Sequence, residues 1–250
     1  MNRRALIITN PGESGAENYC PGVLVDESLY RRFLTSPIGG AWKTSEITLL
    51  QRPGKEDASK AIKELSSADY SLAIFCGHGY HSTNLNTTML ELRKGQELDA
   101  NVLAEGTIRR TVLLDCCRTR HMTMALDEAM MKALAKADAV GDPTLSRRAF
   151  DAAVGACRPG LVKLFGCTVG ESANDDSARG GVYSFNLVEA VRAWGASTPV
   201  ARNSPPEICS VVQAHNSAAP VVQRQTGRRQ NPTITKPMSG SYFPLGVKVA

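Results

Sequence analysis

The stretch SLAIFCGHGY, residues 71–80, joins a short apolar run to a histidine that lies between two glycines. The run has the length and composition of a buried β-strand. Glycine at positions 77 and 79 permits a tight turn and leaves room beside an imidazole, so we expect an exposed His78 side chain directly after the strand. This order of elements, a buried strand followed by a polar turn, is the basis for the fold prediction.

Apolar runs of similar length recur along the first two thirds of the chain and alternate with segments of helical spacing. This alternation predicts βαβ units and an α/β fold with a mostly parallel sheet and helices on both faces. We expect a single domain over residues 1–250. The predicted strands are Ala5–Thr9, Glu46–Leu50, Ser71–Cys76, Thr111–Asp115 and Leu161–Cys167, and the helices between the first of them are Val23–Leu34 and Asp57–Leu65.

The remaining segments are predicted from length, capping and turn residues. We expect a small hairpin in Ser82–Leu98, a strand at Val182–Tyr183, a loop at Gln223–Thr235 and a final edge strand at Tyr242–Val247. The predicted helices in this part of the chain are Met122–Val140, ended by Gly141-Asp142-Pro143, then Ser146–Cys157, Ser184–Trp194 and Ile208–Ser217.

The composition is that of a folded protein in a reducing compartment. The 250 residues are 42% hydrophobic and 21% charged, which excludes a wholly disordered chain. No apolar run approaches the roughly 18 to 20 residues that cross a bilayer, so we expect a cytoplasmic protein without a membrane partner. The seven cysteines lack CxxC spacing, which indicates reduced thiols rather than disulfides or a zinc site. We expect no cofactor.

A basic stretch, Arg224–Arg229, carries a concentrated part of the net charge of +5. Our preferred interpretation is a solvated loop, and a nucleic-acid contact is the alternative.

The chemistry is expected where two neighbouring strands end. Because ligands gather at the carboxyl ends of parallel strands, His78 and the Asp115-Cys116-Cys117-Arg118 segment should face one cleft. An imidazole is the base that a cysteine nucleophile needs near neutral pH. The sequence lacks a Gly-x-Ser-x-Gly elbow and a phosphate-binding loop. His81 forms a His-x-x-His pair with His78, but no further ligand set supports a metal.

These two motifs resemble the caspase-like cysteine peptidases, most closely their metacaspase and bacterial branch. The resemblance covers roughly residues 3 to 195 and implies a three-layer sandwich in which His78 and Cys117 form the catalytic dyad. It also implies that the N–H groups of Gly79 and Cys117 form the oxyanion hole. Thr119 replaces the usual glycine or serine, and the His–Cys separation of 39 positions, 117 minus 78, is shorter than the roughly 50 of caspases.

The resemblance also implies the substrate. Metacaspases bind arginine or lysine through acidic residues, and Asp115 and Asp26 match those positions, with Cys76 at a neighbouring one. We therefore expect cleavage after arginine, then lysine. Asp26 has a second interpretation, as an acidic residue near the start of a helix. Glu171 and Asp175 are expected beside the cleft, where the alternative is that they are solvated loop charges.

Three regulatory expectations follow from the resemblance. Arg147, Arg148 and Arg158 lie where relatives are often cut during maturation, so autocleavage there is a hypothesis. Calcium activates many metacaspases, but no ligand spacing in this sequence supports it. A separate activator or recruiting protein, and a defence or cell-death role, fit the bacterial members. The main alternative function is a catalytically silent scaffold with the same fold.

Overall fold

The computed structural model describes residues 1–119 and 141–250. The predicted helix Met122–Val140 lies outside these residues. The strands are β1 (Arg3–Asn10), β2 (Ile47–Gln51), β3 (Tyr70–Gly77), β4 (Gly79–Ser82), β5 (Thr87–Arg93), β6 (Gln96–Asp99), β7 (Arg109–Cys116), β8 (Gly160–Phe165), β9 (Asp175–Asp176), β10 (Gly180–Gly181), β11 (Glu207–Ser210), β12 (Thr233–Thr235) and β13 (Pro244–Lys248). The helices are α1 (Gly22–Thr35), α2 (Lys55–Leu65), α3 (Pro143–Ala156), α4 (Val182–Ser197) and α5 (Val211–Gln225).

A six-stranded sheet with the order β12-β8-β7-β3-β1-β2 forms the centre of the fold. The five strands from β8 to β2 are parallel, and β12 runs antiparallel to β8 at the edge. This confirms the mostly parallel sheet. The strand order also makes β3 and β7 direct neighbours, as the sequence predicts, so their carboxyl ends meet.

The sheet is buried on both faces, which explains the continuous apolar runs. Along β1, Ala5 and Ile7 pack into the core with α1, α3, α4 and α5, whereas Leu6 and Ile8 pack with α2 and with strands β5 and β6. Each fully buried side chain of this size contributes about 1.5 to 3 kcal/mol. The result is the expected three-layer arrangement. Within the described residues, no helix has the length and apolar character needed to cross a membrane.

The segment between β3 and β7 is larger than predicted. The hairpin of β5 and β6 is present, and β4 adds a third antiparallel strand to it. The backbone N–H of Glu91 donates to the carbonyl of His78 at 2.9 Å, and Asn10 Nδ2 donates to the carbonyl of Glu91 at 2.7 Å. These bonds hold the three-stranded sheet against the carboxyl ends of β1 and β3.

Helix α3 begins earlier than predicted. The turn that the sequence suggested as the end of the preceding helix instead provides the N-cap of α3. Asp142 Oδ1 accepts the backbone N–H groups of Thr144 at 2.7 Å and Leu145 at 3.0 Å, and Pro143 occupies the first turn. Both features are typical of helix starts.

The predictions for the last third of the chain were partly wrong. Val182–Tyr183 opens helix α4 rather than forming a strand, because burial in the core outweighs the strand propensity of these residues. Ile208 lies in β11, and the predicted helix starts only at Val211. The final strand β13 pairs with β11 in a separate two-stranded sheet. It is therefore not an edge strand of the main sheet, where β12 is the edge strand next to β8.

Candidate active site

His78 and Cys117 lie beside each other because of strand register. Gly77 and Cys116 are paired at the ends of β3 and β7, and His78 and Cys117 are the next residue of each chain segment. Both side chains lie in the wall of a cavity of about 490 Å³. The described residues of this wall are Asn18, His78, Gly79, Tyr80, Glu91, Glu97, Cys117 and Thr119.

The imidazole is buried rather than exposed as the flanking glycines suggested. His78 is 7% exposed, and a Cβ atom built on Gly12 would lie 2.8 Å from Nε2 of His78. The loop after β1 therefore covers the ring, which the sequence around residue 78 does not indicate. Nε2 is buried and has no hydrogen-bond partner within the described residues.

The thiol of Cys117 is held in a neutral state at rest. Cys117 is 6% exposed, and its Sγ donates to the carbonyl of Ala173 at 3.6 Å. Burial raises the pKa of this thiol above its ordinary value, and the nearby Asp115 adds to the increase. A neutral thiol requires a base before it becomes a strong nucleophile. His78, in the same cavity wall, has the chemistry of that base.

Gly79 and Cys117 are close neighbours in the cavity wall. An added Cβ on Gly79 would lie 2.8 Å from the Met89 carbonyl and 3.0 Å from the Cys116 thiol. Only a glycine lets β4 lie this near the end of β7. The backbone at residue 79 therefore packs against Cys116, the residue directly before Cys117.

Two acidic residues are buried beneath the strand ends on the side of α1 and α4. Asp115 Oδ2 accepts the backbone N–H of Ser184 at 2.8 Å and its hydroxyl at 2.7 Å. Asp26 Oδ1 accepts the N–H of Gly181 at 2.9 Å. Burial raises the pKa of both carboxyls, and for Asp26 the neighbouring Asp115 raises it further. A Cβ on Gly181 would collide with Asp115, so the glycine is required for this packing.

Asp175 adds a third carboxylate to this group. Its Oδ2 accepts the N–H of Gly22, the first residue of α1, at 3.0 Å. Burial, together with Asp115 and Asp176, raises the pKa of Asp175 to about 6, against lowering effects from Gly22 and His78. Asp175 is thus near enough to both Asp115 and His78 for each to affect its pKa.

Two carboxylate oxygens of this group accept no hydrogen bond within the described residues. Oδ1 of Asp115 and Oδ1 of Asp175 are buried and have no hydrogen-bond partner within residues 1–119 and 141–250. Unpartnered carboxylate oxygens in a buried site are costly unless a donor fills the space. A guanidinium group, with five N–H donors in a planar fork, has the chemistry that matches.

Cys76 and Glu171 each bond to other protein groups in the structure. Cys76 is completely buried, with its Sγ 3.7 Å from the Ser184 hydroxyl, so it packs behind Asp115. The carboxylate of Glu171 accepts the backbone N–H of Asn231 at 2.7 Å and its side-chain amide at 2.6 Å. Glu171 thus connects two loops, and the structure does not bring it into the carboxylate group.

Sequence reasoning missed two residues near the site. Gln230 is fully buried, where its side-chain oxygen accepts two N–H groups of Asn174 and its amide donates to the carbonyl of Gly166. Burial raises the pKa of Cys20 to about 12, and the nearby Asp175 and Cys117 add to this increase. Gln230 lies in a stretch predicted only as loop, and the cysteine in a stretch without a motif. No local pattern marks either of them.

The expected autocleavage positions differ in their surroundings. Arg147 and Arg148 lie inside α3, and Arg147 is paired with Glu46. Arg158 is exposed in the short connection between α3 and β8. Among the described residues, no group of three or more histidine, cysteine or acidic side chains is arranged to hold a metal ion.

Comparison with known proteins agrees with this architecture. A family model described as "Caspase domain" matches residues 2–243. The structure is similar to a crystal structure of caspase-1 from Spodoptera frugiperda, with a TM-score of 0.56 and 14% sequence identity over 94% of this chain and 86% of that one. No curated protein sequence matches the chain. Since the family match spans nearly all 250 residues, the chain belongs to the caspase-domain family of cysteine peptidases.

Proposed function

We propose that this chain is a cysteine endopeptidase that cleaves after arginine and, less efficiently, after lysine. The observation that carries the proposal is the position of Cys117 and His78 in one cavity wall, electrostatically coupled to buried carboxylates. The reaction needs protein substrates with an accessible basic residue, and residues 1–250 act as one peptidase domain.

The reaction proceeds in two steps. His78 takes the proton of the Cys117 thiol, and the sulfur attacks the scissile carbonyl carbon. The C–N bond breaks as the imidazolium returns that proton to the leaving amine, which leaves a thioester on Cys117. Water then attacks the thioester with His78 as base, which releases the carboxylic acid and restores the thiol. The N–H groups of Gly79 and Cys117 stabilise the negative oxygen in both steps, and loss of one such donor costs about a hundredfold in rate or more.

Specificity follows from the three carboxylates. The unpartnered Oδ1 atoms of Asp115 and Asp175 support contacts to a substrate guanidinium, while Asp26, which accepts the N–H of Gly181, shapes the pocket. A lysine ammonium is a point charge that matches two separated oxygens less well than a planar fork does. An aspartate in the same position would meet like charge. Arginine is therefore preferred, lysine is second, and aspartate is rejected.

The biological setting is proposed by family likeness. A regulated defence or cell-death response in the cytoplasm, with a separate activating or recruiting protein, fits a peptidase of this kind. The chemistry above requires no cofactor, and calcium enters only as a condition to vary in the assay.

Fluorogenic peptides that end in arginine, lysine or aspartate test the proposal. We expect turnover in the order arginine, lysine, aspartate, and loss of activity to background in Cys117→Ala. The matched control is Cys157→Ala, because Cys157 is also a buried cysteine but its carbonyl accepts from Arg109, at the opposite end of β7 from the site. The control should keep most of its turnover. Absence of turnover with every peptide, with and without calcium, would favour a silent scaffold.

A further inference from the structure

The cavity that holds His78 and Cys117 extends toward a second acidic surface. Tyr80, Glu91 and Glu97 belong to the sheet of β4, β5 and β6 and form part of its wall. This small sheet packs with α2 on one face of the main sheet. The buried carboxylates are bonded to α4 and α1 on the other face. The nucleophile therefore lies between two acidic regions on opposite sides.

Among the described residues, the hairpin side of the cavity carries two carboxylates, those of Glu91 and Glu97. Glu97 is exposed and accepts the Tyr80 hydroxyl at 2.9 Å, which fixes its carboxylate toward the cavity wall. Glu91 is partly buried, and its backbone is bonded to His78 and Asn10. Within the described residues neither carboxylate has an ion-pair partner, and the described wall of the cavity contains no lysine or arginine.

The direction of the substrate chain connects this surface to the reaction. If the residue before the cut bond occupies the carboxylate group at Asp115, the chain after the cut must leave on the other side of Cys117. His78 delivers its proton to the leaving amine, so the residues after the cut begin beside the imidazole. His78 is buried and belongs to the wall of this same cavity. The cavity of about 490 Å³ is within the range of sites that enclose a ligand group.

We propose that Glu91 and Glu97 form a subsite for a lysine or arginine in the first or second position after the cleaved bond. This inference rests on the proposed peptidase function and extends it to dibasic sequences as preferred substrates. Tyr80 acts as a positioning residue through its hydrogen bond to Glu97.

The preference should be confined to these first positions. A neighbouring cavity of about 220 Å³ shares Asn18 and Glu91 with the first one, but it also contains Lys94 and the ion pair of Arg52 with Glu13. Its charges are mixed, so it offers no clear preference for a cation. A basic residue placed further along the substrate should therefore have little effect.

Internally quenched peptides test the subsite. All carry arginine before the cut bond, and they differ only in having lysine, alanine or aspartate after it. For the wild type we expect kcat/KM to fall from lysine to alanine to aspartate, with a lysine-to-aspartate ratio of about 5 to 20, since each partly exposed charge pair contributes a few-fold. The difference should appear mainly in KM. Mass spectrometry of the products confirms the cut bond.

Variants assign the effect to the two carboxylates. Glu91→Gln and Glu97→Gln should each lower the lysine-to-aspartate ratio, and the double variant should bring it close to 1. Glu56→Gln, which removes an equal charge on the exposed face of α2, is the matched control and should keep the wild-type ratio. Melting temperatures confirm that all variants are folded.

The outcomes separate the two proposals. If the wild type cleaves an arginine-coumarin substrate but the three quenched peptides react equally, the subsite is refuted and the peptidase proposal stands. A ratio that survives in the double variant also refutes the subsite, because the preference then arises elsewhere. If no arginine substrate is cut at all, both proposals fail.

Discussion

The close approach of Gly12 to the His78 imidazole allows a test of how the proposed site is held. Gly12 has φ +89°, and an added Cβ would lie 2.8 Å from Nε2 of His78. Ordinary contacts begin at about 3.4 Å, so the ring must move by roughly 0.6 Å in Gly12→Ala. A displacement of 1 Å in a reacting group costs about a hundredfold, so we expect kcat/KM to fall roughly 10- to 20-fold.

The chain provides a matched control for backbone strain. Gly15 has nearly the same φ, +84°, but nothing lies within 4 Å of its Cβ position. Alanine at either position costs roughly 1 to 2 kcal/mol because both require a left-handed backbone. The two variants should therefore lose similar stability in thermal unfolding, while only Gly12→Ala loses activity on an arginine-coumarin peptide. Equal kcat/KM for the two variants would refute the idea that Gly12 sets the position of His78.

Four further predictions concern charge and loop anchoring. Because burial raises the pKa of Asp175 to about 6, its neutral form stabilises the fold at low pH and this contribution is lost as pH rises through 6. The melting temperature of the wild type should thus fall relative to that of Asp175→Asn between pH 5 and 7. If the melting temperatures of the two proteins instead change in parallel with pH, the raised pKa of Asp175 is contradicted. Arginine cleavage should show the opposite trend and decline below pH 6 in the wild type, because the carboxylate must be ionised to bind the substrate. Arg3 is fully buried and ion-paired with Asp151 at 3.3 Å, so Arg3→Met should lower the free energy of unfolding by about 3 to 5 kcal/mol in urea titrations, and a loss below about 1 kcal/mol would show that the pair is unimportant. Gln230→Ala leaves the buried amide of Asn174 without its acceptor, so we expect a loss of about 1 to 3 kcal/mol and a lower kcat, whereas an unchanged kcat would separate this loop from the active site.

The positions of His78 and Cys117 could be predicted because they depend on strand order alone. Apolar runs separated by helical segments dictate a parallel sheet, and consecutive strands at its centre bring their carboxyl ends together. The register of β3 with β7 then places the two residues side by side. The sequence around residue 78 does not indicate that the loop carrying Gly12 covers the imidazole, because Gly12 lies 66 positions earlier in the chain.

The acidic pocket was predictable only in part. Asp115 belongs to a strand end, so its place was fixed with that of Cys117. Asp175 lies in a polar loop, and its position depends on a bond to the N–H of Gly22, 153 residues earlier in the chain. Glu171 is in the same loop, yet its carboxylate is bound by Asn231. Composition cannot separate these two acidic residues, because only long-range backbone contacts decide which of them joins the carboxylate group.

Net charge is a poor guide to the partner of this protein. The chain carries +5 overall, which taken alone favours acidic partners. The described wall of the cavity, however, contains Glu91 and Glu97, and the carboxyl of Asp115 lies near Cys117. Interactions between exposed charges fade beyond about 8 Å at physiological salt, so a substrate in the cleft responds to these nearby carboxylates rather than to distant arginines. A protein with a net positive charge can therefore still select a cationic substrate. Added salt should weaken this selection by raising KM.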